Sequence, residues 1–332
     1  MTLKDSEKLS RLTRTFDRNY RITRMYAEYL ERYPEVITEE MVNTLTEDDS
    51  ITKKEALVAL LSEIFALDFE NPEDRVLIRD YLTPSVRILD AKKYINDPYY
   101  RNIKIESFKD GRWELRREAY LPYRGVIAGD MICTDDFADI PPLGFFTERF
   151  EFPAVLEDGN EWMTLTPVDL DTSEEAIAKA RGKVVTFGLG LGYYAYMASA
   201  KPEVESVTVV EKSPDVIKLF SEKILPQIPW KAKIRIVNAD AFEYAEHVMP
   251  QEGFDLAFVD TWRDASDGVP MYERMKSLEV LSQGTRFMYW IEGFLRSRLR
   301  SIKFEELYEK NEKNLCGAPE SYDAIIDELK KI

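Results

Sequence analysis

Cysteine and histidine are nearly absent from this chain of 332 residues, which has two of the first and one of the second. Cys133 and Cys316 lie far apart, and neither belongs to a CxxC or Cys/His pattern. That excludes a disulfide framework and a zinc site of the usual spacing, and leaves two ordinary buried thiols expected of a reducing compartment. The lone His247 falls late in a predicted helix, away from the strand ends, and reads as a surface residue. Long apolar runs are missing too. Nothing approaches the roughly 18 residues of a membrane-spanning helix, and the N-terminus lacks the apolar core of a secretory signal. A cytoplasmic protein without a membrane partner is expected.

Positive charge is also in short supply. Lysine and arginine number 45 against 61 acids, a net charge of −16, with a pI near 4.8. Such a surface repels nucleic acid unless a basic patch is segregated on one face. The basic residues near the start (Lys8, Arg11, Arg14, Arg18, Arg21, Arg24) alternate with acids and apolar residues, the pattern of a solvated helix face. The expected partner is a small molecule or a protein, and any self-association is expected to give a homodimer.

What the chain does have is ordinary globular stock, 45% hydrophobic and 12% aromatic, at a length that suits more than one domain. Residues 5 to about 95 read as helical: Leu9, Leu12, Phe16, Tyr20, Ile22, Met25, Tyr26 and Leu30 recur at three- and four-residue spacing. Thr52 is placed to cap a second helix through Leu67, and a third runs from Pro72 to Leu82. From about 100 to 166 the period changes to two, with hairpins predicted around Asp110 and Gly111 and around Asp158 and Gly159. From Asp171 strands and helices alternate. A helix is expected from Thr172 to about Ala180. Strands follow at 183–188, 205–211, 233–237, 254–260 and 285–291, with helices at 192–200, 213–224, 240–248, 270–281 and 293–300. Two further charged helices are expected after Phe304. This implies an α/β chain with a Rossmann-like, doubly wound, mostly parallel sheet. It divides as a helical N-terminal domain (1–98), a small β subdomain (99–168), the sheet domain (169–302) and C-terminal helices (303–332).

The chemistry concentrates at the carboxyl ends of the predicted strands, where such sheets bind ligands. The first ends in alternate glycines, Gly188, Gly190 and Gly192, directly before a helix. A Cβ there would block backbone from touching a ligand or forbid the backbone angles. The second ends in Glu211, 23 residues after Gly188, whose two oxygens can accept both hydroxyls of a ribose. The third leads to Asp240 and Ala241; Asp240 serves as a helix cap, as a partner for an exocyclic adenine amine, or as both. The fourth delivers Asp260 with Trp262 and Asp264 close behind. Tyr193 stands where a dinucleotide fingerprint has its third glycine, which disfavours NAD. Metal-ligand spacing is absent.

In these residues and their order, about 171–300 resembles the class I S-adenosylmethionine-dependent methyltransferases. The resemblance implies that the glycine turn faces the methionine and ribose part of S-adenosyl-L-methionine and that Glu211 binds the ribose hydroxyls. Asp240 and Ala241 would then flank the adenine, while Asp260 and its loop face the methionine end and the acceptor. Asp260 or Asp264 would serve as base where the nucleophile is protonated, and Tyr193, Tyr194 or Trp262 would shape the acceptor pocket. Thr186 replaces the acid often found two before the first glycine. The order of β subdomain, Leu165, Thr166 and Pro167, helix and glycine strand is similar to spermidine synthase-type aminopropyltransferases, although their Gly-Gly-Gly-Asp-Gly turn is not matched. No antiparallel strand pair is found after residue 291. The expectation is a methyltransferase acting on a small-molecule acceptor, with an aminopropyltransferase or a non-catalytic cofactor-binding scaffold as the alternatives.

Overall fold

The computed structural model describes residues 3–313 and 321–332; Cys316 lies outside the described residues. The chain forms two compact units from interleaved segments. One comprises Met1–Leu89, Pro122–Thr147 and Glu292–Ile332; the other comprises Asp90–Leu121 and Glu148–Ile291. The linear partition expected from the sequence runs differently, because residues 99–168 are shared between the two units. Periodicity reports local structure and carries no information on which distant segments pack together.

The second unit holds a five-stranded sheet, parallel throughout: β1 (Gly182–Phe187), β2 (Val204–Glu211), β3 (Ile234–Asn238), β4 (Leu256–Val259) and β5 (Arg286–Tyr289), in the order β3-β2-β1-β4-β5. Val184, Val185, Val207, Val209, Ala257 and Phe258 are all at most 1% exposed, as strands covered on both faces require. The chain winds outward from β1 through β2 to β3, then returns to the other side of β1 for β4 and β5. The switch point therefore lies at the carboxyl ends of β1 and β4. Backbone bonds carry the ladder past the strand ends, from Gly188 N to Val210 O at 2.9 Å and from Asp260 N to Phe187 O at 2.8 Å, which fixes the loops that carry the candidate residues.

Helices α1 (Pro167–Lys179), α2 (Tyr193–Ser199), α3 (Pro214–Leu219), α4 (Ala241–His247) and α5 (Ala265–Leu278) belong to the same unit. α1 begins five residues before the expected start at Thr172. Asp169 accepts from Thr166 N at 2.7 Å and Thr166 Oγ1 at 2.9 Å, and Pro167 at the first position needs no donor. A four-stranded antiparallel sheet completes the unit, with Trp113–Tyr120 and Phe150–Glu157 as its central pair and Phe108–Asp110 and Asn160–Thr164 at its edges. The first hairpin strand starts at Phe108, five residues later than the alternation from Ile103 suggested.

The first unit is mostly helical, from Leu3–Arg32 onward. Ile22, Tyr26 and Tyr29 are buried against Leu57, Leu61 and Leu82. Tyr20, expected on the apolar stripe, is 66% exposed. Arg18 and Arg21 pair with Glu73 and Asp74 at 2.6 and 2.7 Å. Val86–Leu89, inside the span read as helical, is a strand paired in parallel with Leu143–Phe146. Cys133 is exposed, not buried as expected, because it lies on a two-stranded edge pairing with Asp139. The final segment forms one long helix, Glu292–Lys313, followed by Tyr322–Lys330, where three shorter ones were expected. No helix among the described residues is long and apolar enough to cross a membrane.

Thr52 caps Lys53–Ile64 through a reciprocal box, its Oγ1 accepting from Glu55 N at 3.2 Å while Thr52 N donates to Glu55 Oε2 at 2.7 Å. Thr52→Ala is expected to lower the unfolding free energy by about 1 kcal/mol, read as a shift of the urea midpoint at unchanged slope.

Candidate functional site at the sheet's carboxyl edge

The glycine turn is held by the protein's own atoms. Gly188, Gly190 and Gly192 take φ of +98°, +49° and +75°, conformations that L side chains rarely adopt. A Cβ on Gly188 would lie 1.9 Å from the backbone oxygen of Asp260, and one on Gly192 would lie 2.1 Å from the Phe220 ring. One on Gly190 would lie 2.2 Å from Met163 Sδ. That thioether crosses the turn and accepts from Leu191 N at 3.1 Å. The Tyr99 hydroxyl, from a buried ring, donates to Leu191 O at 2.6 Å.

Glu211 is 7% exposed at the end of β2. Its Oε2 accepts from Leu189 N within the glycine turn at 3.1 Å, and its Oε1 accepts from Ser213 N at 2.7 Å. Each oxygen keeps a further lone pair. Asp240 caps α4, its Oδ1 accepting from Phe242 N at 2.9 Å and Glu243 N at 3.2 Å. Ala241 follows it, buried.

Asp260, Tyr193 and Tyr194 meet at one cavity of about 30 Å³, room for roughly one water-sized group. Gly188, Leu189, Thr186, Phe258 and Met163 also line it. Three further lining residues were not anticipated: Asp169, Ser173 and Trp290. Asp169 carries a readable signal, since a Thr followed three residues later by an acid marks a helix start. Trp290 carries none beyond its place at the end of β5.

No hydrogen bond from the described residues reaches the Asp260 carboxyl. Burial pushes it up to about 8, and the neighbouring carboxyls of Asp169 and Glu211 add to the shift. Asp169 is raised to about 6 by burial, against the lowering effect of its bonds from Thr166. Tyr193 donates to Asp97 Oδ2 at 3.1 Å. The Tyr194 hydroxyl and the Trp290 indole N–H are both buried without a hydrogen-bond partner among the described residues.

Of the expected site residues, Gly190, Gly192, Glu211, Asp240, Ala241, Asp264 and Trp262 do not line the cavity. Asp264 caps α5, accepting from Ser266 N at 2.7 Å and Ser266 Oγ at 2.5 Å. These bonds hold its carboxyl below the usual range, counter to service as a base. Trp262 is buried and stacked on Tyr289, its ring centroid 6.3 Å away. His247, on the surface, pairs with Glu243 at 3.5 Å. Among the described residues no cluster of three metal-ligating side chains occurs.

No known family profile matches the chain, and no curated protein does. Among solved structures it is similar to spermidine synthase from Thermotoga maritima, at 16% identity and a TM-score of 0.31 over 46% of this chain and 59% of that one. Another is a spermidine synthase in complex with the transition-state analogue AdoDATO, at 19% identity and a TM-score of 0.34 over 46% of this chain and 60% of that one. A third is the methyltransferase domain of bacterial CtHen1-CN, at 17% identity and a TM-score of 0.26 over 36% of this chain and 61% of that one. The chain thus spans less than two thirds of the length of the structures it matches.

Proposed function

We propose that the carboxyl edge of this sheet binds S-adenosyl-L-methionine and that the chain is a methyltransferase acting on a small-molecule acceptor. One observation carries the reading: Glu211 is tied by Leu189 N to the glycine turn itself, which joins a dihydroxyl-binding carboxylate to a turn built for close backbone approach. The residues suit the group. Glu211 has a lone pair left on each oxygen for the ribose hydroxyls, and Asp240 has its second oxygen beyond the cap for an adenine amine. Met163 crosses the turn, but it is an unbranched side chain that moves with little strain.

S-adenosyl-L-methionine supplies an activated methyl group on a cationic sulfur. The protein has to align an acceptor, exclude water and remove a proton where the nucleophile carries one. Asp260 suits the last task, with a carboxyl raised toward neutrality and lining a small cavity. A second reading, aminopropyl transfer, is favoured by the cavity's charge. Among the described residues its lining holds two carboxyls and no lysine, arginine or histidine, so none of them pairs with a cofactor carboxylate.

Calorimetry with S-adenosyl-L-methionine, S-adenosylhomocysteine and the decarboxylated cofactor separates the readings, followed by a turnover assay against a scaffold role. Binding of none of the three would overturn both. Glu211→Gln replaces one acceptor oxygen by a donor and is expected to weaken binding by roughly 10- to 100-fold. Unchanged affinity would remove Glu211 from the site.

A further inference from the structure

A side chain of the same unit fills the glycine turn. Met163 lies on Asn160–Thr164, an edge strand of the antiparallel sheet. Val155 pairs with Met163 and Leu156 with Glu161, so the register shifts and Trp162 is an extra residue. A bulge of this kind re-aims the side chain beside it. Met163 Sδ accepts from Leu191 N at 3.1 Å and lies 2.2 Å from where a Cβ on Gly190 would stand. The same side chain lines the cavity of about 30 Å³ together with Gly188, Leu189 and Asp260. The space beside Gly190 and the N–H of Leu191 are both already in use.

We infer that Met163 gates this edge: with its thioether on Leu191 N the turn is closed, and a ligand reaches the backbone only when the side chain swings away. This rests on the transferase reading of the same edge. A permanent plug calls for a fully buried, stiff side chain, whereas Met163 is half-buried, unbranched and on an edge strand. Sulfur is a weak hydrogen-bond acceptor, so an oxygen acceptor readily replaces it on Leu191 N. The closed form competes with the ligand and lowers the apparent affinity by the fraction of chains that are open. Glycine at position 190 then has a second reason, since it makes room for the thioether as well as for a ligand.

The test compares S-adenosylhomocysteine binding by calorimetry in the full chain and in Met163→Ala. The variant is expected to bind at least about fivefold more tightly, because the closed form no longer competes. Met163→Val, which suits a strand and stops short of the turn, is the second variant if the alanine fails to fold, with the same expected gain. Equal or weaker binding in the folded variant overturns the gate and leaves the transferase reading in place. A second measurement uses no ligand. Gly190→Ala should lower the urea midpoint of the parent chain. In the folded Met163 variant that loss should shrink by at least about half, since the thioether contact is gone and only the strain of a φ of +49° remains. Equal losses in the two backgrounds overturn the inference. If neither chain binds S-adenosylhomocysteine, the transferase reading falls, and the midpoint comparison alone decides whether Met163 closes the turn.

Discussion

Gly188→Ala is expected to lower the unfolding free energy by roughly 4 kcal/mol, the sum of backbone strain and an overpacked contact. The added methyl group would lie 1.9 Å from the backbone oxygen of Asp260, which is fixed because Asp260 N is bonded to Phe187 O at 2.8 Å. A rigid backbone cannot yield as a side-chain tip does. The left-handed φ of +98° adds strain of its own. Gly159→Ala is the matched control: φ is +82° in a hairpin turn, but nothing lies within 4 Å of the new atom. Only the strain remains there, about 1 kcal/mol. Urea unfolding of the two variants should therefore differ severalfold in effect. Equal losses would show that β1 and β4 do not approach as described.

Asp260→Asn is expected to remove a pH dependence of stability that this carboxyl imposes. In the unfolded chain this carboxyl ionises near pH 4; in the folded chain burial holds it protonated to about pH 8. Between those values the folded state binds more protons than the unfolded one, so stability falls as pH rises and levels off above 8. The stabilising contribution is fully present below pH 4 and is lost by the time pH passes the folded value. An asparagine keeps the shape without the titration. From pH 5 to pH 9 the parent chain should lose on the order of 3 kcal/mol more than the variant. Guanidinium unfolding at pH 5, 7 and 9 measures this, and parallel curves would remove Asp260 from its buried setting. Any proton removal by Asp260 during turnover should strengthen as pH rises through 8, where the carboxylate forms.

Much of the sheet was legible in the sequence for a plain reason. Segments such as Val184–Phe187 and Val207–Val210 are apolar on both faces and end at turn residues, so their positions agree with the observed strands within two or three residues at most ends. The helix after the glycines was legible too. The start of α1 was not, because Thr172, Ser173 and the acids after them mimic a first turn, while Thr166 and Asp169 make the actual one. The length of Glu292–Lys313 was missed because a loop was assumed where the sequence has neither glycine nor proline from Phe294 to Lys313. Val86–Leu89 was lost for a different reason. Its partner, Leu143–Phe146, is more than 50 residues away, and no local pattern reports such a pairing.

The sequence by itself determined the parallel sheet, the glycine turn and an acid at the end of each of three strands, because these follow from periodicity and from which residues tolerate which backbone angles. Tertiary structure decided what each acid is for. Asp264 is spent on a helix cap, Asp240 is half spent on one, and Glu211 is bonded to the turn it was expected to serve. Asp260 is left without a hydrogen bond from the described residues, half-buried, with the carboxyls of Asp169 and Glu211 as its neighbouring charges. Burial and hydrogen-bond partnership are properties of the packed interior, and the order of residues along a chain does not contain them.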